Sequence, residues 1–116
     1  MKRACIVGFY PVTRELANAE PPDVEIWGMN VNHTFLKRAD RWFQLHPQSW
    51  HNGKYGRDDA HLNFLRTCNI PVYMNDPQPD MPTAVLYPYK DIADDLGRDY
   101  LTSSAAHAIA LAIHER

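Results

Sequence analysis

The chain has 116 residues and a formal charge of −2, with its lysines and arginines scattered along it. That length fits a single domain, residues 1–116, which would bury roughly two-thirds of its unfolded surface. The absence of a basic stripe argues against a duplex nucleic acid partner. No apolar stretch approaches the ~18 residues of a membrane span, and the run after Met1 is too short for a secretion signal, so we expect a cytoplasmic protein with no membrane contact.

Five short apolar runs, separated by prolines and glycines, predict β-strands. Three of them lack polar–apolar alternation, which is typical of strands buried on both faces of a parallel sheet. The runs are Ala4–Gly8, Val24–Gly28, Arg41–His46, Pro71–Met74 and Ala84–Tyr87.

Helical patterns lie between these runs and after the last of them. The final helix is apolar almost all round, which predicts burial rather than an exposed face. Because two helices follow the fifth strand, we expect either that the first lies across the rim of the sheet or that Asp99–Thr102 forms an extra edge strand. The predicted helices are Thr13–Asn18, Thr34–Arg38, Asp58–Cys68, Asp91–Leu96 and Ser103–His114.

Alternation of strands and helices predicts a Rossmann-like, three-layer α/β domain with a mainly parallel five-stranded sheet. The strand order we expect is 3-2-1-4-5. In such a sheet, ligands bind beyond the carboxyl ends of the strands, where the order reverses. We therefore expect a crevice between the first and fourth strands, with the serine-bearing start of the last helix facing it.

Four residues that follow the first two strands are candidate ligand contacts. Gly8 and Tyr10 leave the first strand, where backbone amides can approach a phosphate, although the second and third glycines of a dinucleotide fingerprint are missing. Gly28 permits close backbone approach, and Asn30 offers a donor and an acceptor to a sugar or base. The alternatives are a tight strand exit at Gly8 and a turn closed by Asn30.

His46 and the start of the last helix complete the candidate site. His46 is the acid–base group if the protein is an enzyme, with Asp76 or Asp40 as its partner. Thr102, Ser103 and Ser104 precede or begin a buried helix, so they either bind an anion or simply cap the helix.

No cofactor or metal is expected from the sequence. The spacing of His46, His51 and His61 along the sequence matches no compact zinc-binding pattern. Cys5 and Cys68 belong to no CxxC pair, so we expect two reduced thiols. The composition of the polar and aromatic segment Gln48–Arg57 predicts a flap over the crevice or, alternatively, a solvent-exposed loop.

Several of these segments resemble small Rossmann-like proteins encoded by bacteriophages, over nearly the whole chain. The last helix is also distantly similar to that of the motility-accessory-factor and hydroxymethylpterin pyrophosphokinase-like proteins, in which a small-residue helix follows a nucleotide-binding loop. That likeness implies a nucleotide-type ligand by analogy. The segments that carry the phage resemblance are Ile6–Gly8, Glu25–Asn30, Asp40–His46, Pro71–Met74 and Tyr100–Ser104.

We therefore expect a phage-type protein that binds, and by binding sequesters, a nucleotide or nucleotide-derived signalling molecule in the host cytoplasm to counter host defence. One alternative is an enzyme of nucleotide or nucleoside metabolism that uses His46 for glycosyl or phosphoryl transfer or hydrolysis. Another is a module that contacts a host protein through the segment Trp50–Tyr55. A domain of this size often covers its sheet edges by forming a homodimer or a larger homo-oligomer.

Overall fold

The computed structural model of the chain describes residues 2–46, 59–98 and 101–116. Within those residues, five strands form one sheet in which every neighbouring pair is parallel. All five predicted strands are confirmed, and no strand end differs by more than two residues from the predicted one. The strands are β1 Arg3–Ile6, β2 Val24–Met29, β3 Arg41–Gln44, β4 Val72–Met74 and β5 Ala84–Leu86.

The helices follow the predicted pattern with one exception. Residues 34–38 do not form the predicted helix, because the Asn18 side chain makes hydrogen bonds with backbone groups that a helix would pair internally. Its Nδ2 donates to the Phe35 carbonyl and its Oδ1 accepts from the Lys37 amide. The observed elements are α1 Pro11–Arg14 with the 3-10 helix Glu15–Ala19, the 3-10 helix Asn32–Thr34, α2 Asp59–Thr67, α3 Tyr89–Leu96 and α4 Ser104–His114.

The order of the strands across the sheet is 1-2-3-4-5, so the predicted order 3-2-1-4-5 is wrong. Each strand lies beside the one that precedes it in the chain. Because this order never reverses, β2 and β3 separate β1 from β4. The crevice expected between the first and fourth strands is therefore not part of this fold.

Two helical layers cover the sheet, whose side chains alternate between its faces. Ile26, Trp42 and Val72 lie on what we call the front face, under α2 and the 3-10 helix Glu15–Ala19. Trp27 and Phe43 lie on the back face, under α3 and α4. The domain is thus the three-layer α/β sandwich that the sequence predicts.

The position of the connections explains the strand order. When each new strand is added at the same edge of the sheet, right-handed crossover connections all lie on one face of that sheet. In the order 3-2-1-4-5, the helix between the third and fourth strands would cover the back face. That face is instead covered by α4, which lies against β1, β2 and β3. The two helices that follow β5 are therefore the second outer layer of the domain.

Three predicted features lie wholly or partly outside the described residues. The flap Gln48–Arg57 and the host-protein contact segment Trp50–Tyr55 lie wholly outside them. Residues 99 and 100 of the possible extra strand also lie outside them, while Leu101 and Thr102 of that strand have no regular structure. Within the described part of the chain, no helix has the length and apolarity needed to cross a membrane.

Candidate functional site

The carboxyl ends of the five parallel strands lie along one edge of the sheet, which we call the rim. Helix α4 begins at this rim, because the Tyr87 hydroxyl, just after β5, donates to the His107 carbonyl at 2.6 Å. The other end of α4 lies at the opposite edge, where Glu115 contacts Arg41 at the start of β3 at 2.6 Å. The start of α4 therefore lies on the same edge as the strand ends, as expected.

A chain of hydrogen bonds crosses the rim from β3 to α4, and we call it the rim relay. Asn75, after β4, donates through Nδ2 to the Leu45 carbonyl at 2.7 Å. The Tyr89 hydroxyl lies 2.6 Å from Asn75 Oδ1 and 2.9 Å from His107 Nε2. His107 Nδ1 lies 2.5 Å from the Ser103 carbonyl. The relay thus ties the ends of β3, β4 and β5 to the first turn of α4.

The direction of the hydrogen bonds in the rim relay depends on the tautomer of His107. Both ends of the relay, the carbonyls of Leu45 and Ser103, can only accept. The Tyr89 hydroxyl donates to Asn75 Oδ1, and it accepts from His107 when Nε2 carries the proton. Because an amide oxygen has two lone pairs and Asn75 is exposed, Asn75 Oδ1 can accept a second hydrogen bond from a ligand.

The side chains of the relay differ in their exposure to solvent. His107 is buried, while 38% of the Tyr89 surface and much of Asn75 are exposed. Partial burial raises the pKa of the Tyr89 hydroxyl, and its hydrogen bond with Asn75 lowers that pKa by a smaller amount. Tyr89 is therefore a neutral phenol near pH 7, accessible to a ligand on one side and backed by an imidazole on the other.

The predicted contacts after β1 lie in open positions. Gly8 is exposed, and nothing lies within 4 Å of the place a Cβ would occupy. Its carbonyl accepts from Asn32 Nδ2 at 2.9 Å. Tyr10 is 66% exposed and stands at the start of α1.

The predicted contacts after β2 are explained by packing. A Cβ on Gly28 would lie 2.1 Å from Cζ3 of Trp42, so the missing side chain makes room for that indole ring. Asn30 has a left-handed backbone with a φ of 52°, and its carbonyl accepts from Trp42 Nε1 at 3.0 Å. These contacts favour the interpretation of Asn30 as a turn residue, although its Oδ1 is buried without a hydrogen bond in the described part of the chain.

His46 lies at the rim beside Leu45, which accepts from the relay, and burial lowers the pKa of its imidazole. Asp40 cannot assist it, because Asp40 lies at the other end of β3, where its carboxylate binds the Ile26 amide at 2.7 Å. Asp76, the other proposed partner, is exposed, and its carbonyl accepts from Gln78.

The hydroxyl-bearing start of α4 serves first as a helix cap. Ser103 Oγ accepts from the Ala106 amide at 3.1 Å, which is the ordinary role of a serine in this position. Thr102 is exposed at the rim, and Ser104 is half-buried. The relay joins Ser103 to Asn75 and to the end of β3. Gly8 follows β1, two strands away from β3, whereas Asn30 lies beside β3, because its amide donates to the Phe43 carbonyl at 3.0 Å.

Sequence reasoning missed Tyr89 and His107 as functional candidates. The signal at His107 was present, since it interrupts an otherwise apolar helix. Tyr89 gave none, because its contact with His107 depends on where α4 lies. Among the described residues, no three side chains of the metal-binding types converge.

Comparisons of the chain with models of known families, with curated proteins and with solved structures return no match. The resemblance to phage-encoded Rossmann-like proteins therefore stays a prediction. What can be inferred about function depends on the geometry of the rim.

Proposed function

We propose that the chain binds a nucleotide or a nucleotide-derived small molecule along the rim of its sheet. The observation that supports this proposal is the rim relay itself, which holds the exposed Asn75 amide beside the partly exposed Tyr89 hydroxyl. Asn75 Oδ1 and the Tyr89 hydroxyl lie at an accessible edge and are held in place from behind. A ligand hydroxyl can donate to the second lone pair of Asn75 Oδ1 while the Tyr89 hydroxyl keeps its contacts with Asn75 and His107.

Sugar hydroxyls are suitable donors for this position, because each one donates a proton and also accepts. Thr102 is exposed beside the relay and offers a further hydroxyl. A ligand seated here needs little rearrangement of the protein, since the relay orders its own side chains beforehand, and this lowers the entropic cost of binding. In a phage-encoded protein, such binding would withhold a nucleotide signal from a host defence system.

An enzyme acting on the same ligand is the second candidate, and the contact between Tyr89 and His107 favours it. A phenol hydrogen-bonded to an imidazole can pass a proton to or from a bound molecule, as general acid–base catalysis requires. In this version Tyr89 touches the ligand and His107 replaces the proton. His46, the sequence-based candidate for this role, lies further along the rim.

Isothermal titration calorimetry with adenosine, AMP, a cyclic nucleotide and ADP-ribose tests the proposal. Tyr89→Phe removes the hydroxyl and should weaken binding about three- to tenfold, which corresponds to one ordinary hydrogen bond. Tyr73→Phe is the matched control, because the Tyr73 hydroxyl lies near Arg41 at the opposite edge.

The absence of binding by all four compounds would refute the proposal, as would equal losses in the two variants. Chromatography of the ligand after incubation separates the two candidates. An intact ligand indicates a binding protein, whereas conversion that Tyr89→Phe abolishes indicates an enzyme.

A further inference from the structure

A second polar cluster lies at the other end of the rim, in a groove between β1 and the segment of α1 and its following 3-10 helix. The groove has a volume of about 180 Å³ and opens to solvent. Its lining includes Gly8, Thr13, Arg14, Cys5 and Glu20. No part of the rim relay contributes to it.

Arg14 is a cation without a carboxylate partner among the described residues. Its guanidinium lies over the Phe35 ring, 3.3 Å from the centroid, and its Nε is buried without a hydrogen bond. A charge held in this way is stabilised by the aromatic face but keeps its other donors available. By contrast, four other arginines pair with carboxylates, namely Arg3, Arg38, Arg41 and Arg66.

The backbone beside Arg14 offers further donors. Within the described part of the chain, neither the Gly8 nor the Phe9 amide donates a hydrogen bond to another residue. Asn32 Nδ2 holds the carbonyls of Val7 and Gly8, at 3.3 and 2.9 Å, so the path of this segment is fixed. The open space at Gly8 lets a ligand approach the backbone closely.

The charge distribution in the groove limits the size of an anion that it can accept. Burial raises the pKa of the Cys5 thiol, the charge of Glu20 raises it further, and the charge of Arg38 acts in the opposite direction. Cys5 and Gly8 are three residues apart in extended chain, or about 10 Å. Because Arg14 and Glu20 both line the groove, it suits one compact oxyanion that contacts Arg14 without reaching Glu20.

We propose that Arg14, Thr13 and the Gly8 amide form a binding site for a phosphate group. Arg14 supplies charge-assisted hydrogen bonds, the exposed Thr13 hydroxyl adds a neutral one, and the Gly8 N–H completes the set. If the phosphate belongs to a nucleotide, this inference rests on the proposed function and names the part of the ligand that binds here. Free phosphate would use the same donors.

Amide chemical shifts from ¹⁵N-labelled protein test the site directly, with inorganic phosphate, AMP and adenosine as probes. Phosphate and AMP should shift the Gly8 and Thr13 amides along saturable curves, whereas adenosine should leave them unmoved. Arg14→Gln should weaken phosphate affinity roughly ten- to hundredfold, since a charged hydrogen bond is lost.

Arg66→Gln is the matched control, because it removes an equal charge from an exposed pair with Asp80, and it should bind phosphate like the wild type. Thr13→Val replaces Arg14→Gln if loss of the Phe35 contact unfolds the protein, and it should weaken affinity several-fold. Absent shifts, non-saturating shifts reproduced by chloride, or equal affinities in Arg14→Gln and the wild type would overturn the site.

The same titrations separate this site from the proposed function. Saturable phosphate binding at Gly8, combined with no effect of nucleosides on Asn75 and Tyr89, supports the phosphate site and refutes ligand binding at the relay. Nucleotide binding that shifts the Asn75 and Tyr89 amides, with an affinity that Arg14→Gln does not change, supports ligand binding at the relay and refutes the phosphate site.

Discussion

Replacing Gly28 by alanine separates the two interpretations of this glycine, a space for a ligand or a space for Trp42. The added Cβ would lie 2.1, 2.6 and 2.7 Å from three carbons of the indole ring, where ordinary contacts are about 3.5–4 Å. Trp42 is 1% exposed, donates to the Asn30 carbonyl at 3.0 Å, and packs edge-on against Phe64 at 4.7 Å. The ring must therefore move by more than 1 Å.

The cost of Gly28→Ala follows from those contacts. Overpacking costs about 1–3 kcal/mol, and loss of the Asn30 hydrogen bond and the Phe64 contact adds about 1–2 kcal/mol. The lower entropy of the unfolded alanine chain returns about 0.5–1 kcal/mol. We expect a net loss of about 3 kcal/mol in the free energy of unfolding, out of a typical 5–15 kcal/mol.

Urea unfolding followed by tryptophan fluorescence measures that loss, with Gly8→Ala as the control. Because nothing lies within 4 Å of a Cβ at Gly8, we expect its free energy of unfolding to change by less than about 1 kcal/mol. Trimming the indole in Gly28→Ala/Trp42→Leu should leave a double variant less destabilised than the sum of the two single ones. Equal midpoints for the two glycine variants, or lost ligand binding in a fully stable Gly28→Ala, would refute the packing explanation.

Three further predictions follow from single contacts. Ser103→Ala should lower the free energy of unfolding by about 1 kcal/mol by removing the cap of α4, while Ser104→Ala should change it by less than about 0.5 kcal/mol in the same urea assay. Since the folded-state pKa of His46 is lowered, the unfolded state binds more protons than the folded state below about pH 6.5, and the free energy of unfolding falls as the pH falls. His46→Gln should therefore reduce the pH dependence of the free energy of unfolding, measured by urea unfolding between pH 7 and 5. Because burial raises the pKa of the Cys5 thiol, iodoacetamide should alkylate it at pH 7 more slowly than it alkylates free cysteine, as mass spectrometry of the peptides can show, and an equal rate would contradict the burial.

The strands were predictable because apolar runs bounded by proline and glycine leave few alternatives. The strand order was not, because several orders satisfy the same strands and the same right-handed crossovers. The two helices left over after the fifth strand were the available clue. An outer layer made only of α3 and α4 requires all earlier connections to lie on the front face, and this is met by the order 1-2-3-4-5.

The candidate site was predictable where it depends on the rim alone. Parallel strands bring their carboxyl ends together in any order, so Gly8, Asn30 and His46 were correctly placed on one edge. What could not be predicted from the sequence was which side chains contact each of these positions. The ring that fills the space over Gly28 comes from Trp42, fourteen residues away and on a neighbouring strand, and the partner of Tyr89 comes from α4.

The strand order finally determines what kind of ligand the two polar clusters can share. In the predicted order, β1 and β4 would be neighbours, whereas in the observed order three strand spacings, about 14 Å, separate them. Under the two proposals above, only an extended molecule such as ADP-ribose can contact Arg14 and Tyr89 together, and AMP reaches one of them. The affinity for ADP-ribose should then fall in both Arg14→Gln and Tyr89→Phe, while the affinity for AMP should fall in only one. Calorimetry of the two ligands with the two variants measures this pattern, and AMP losses as large as those of ADP-ribose in both would place the clusters in one compact site.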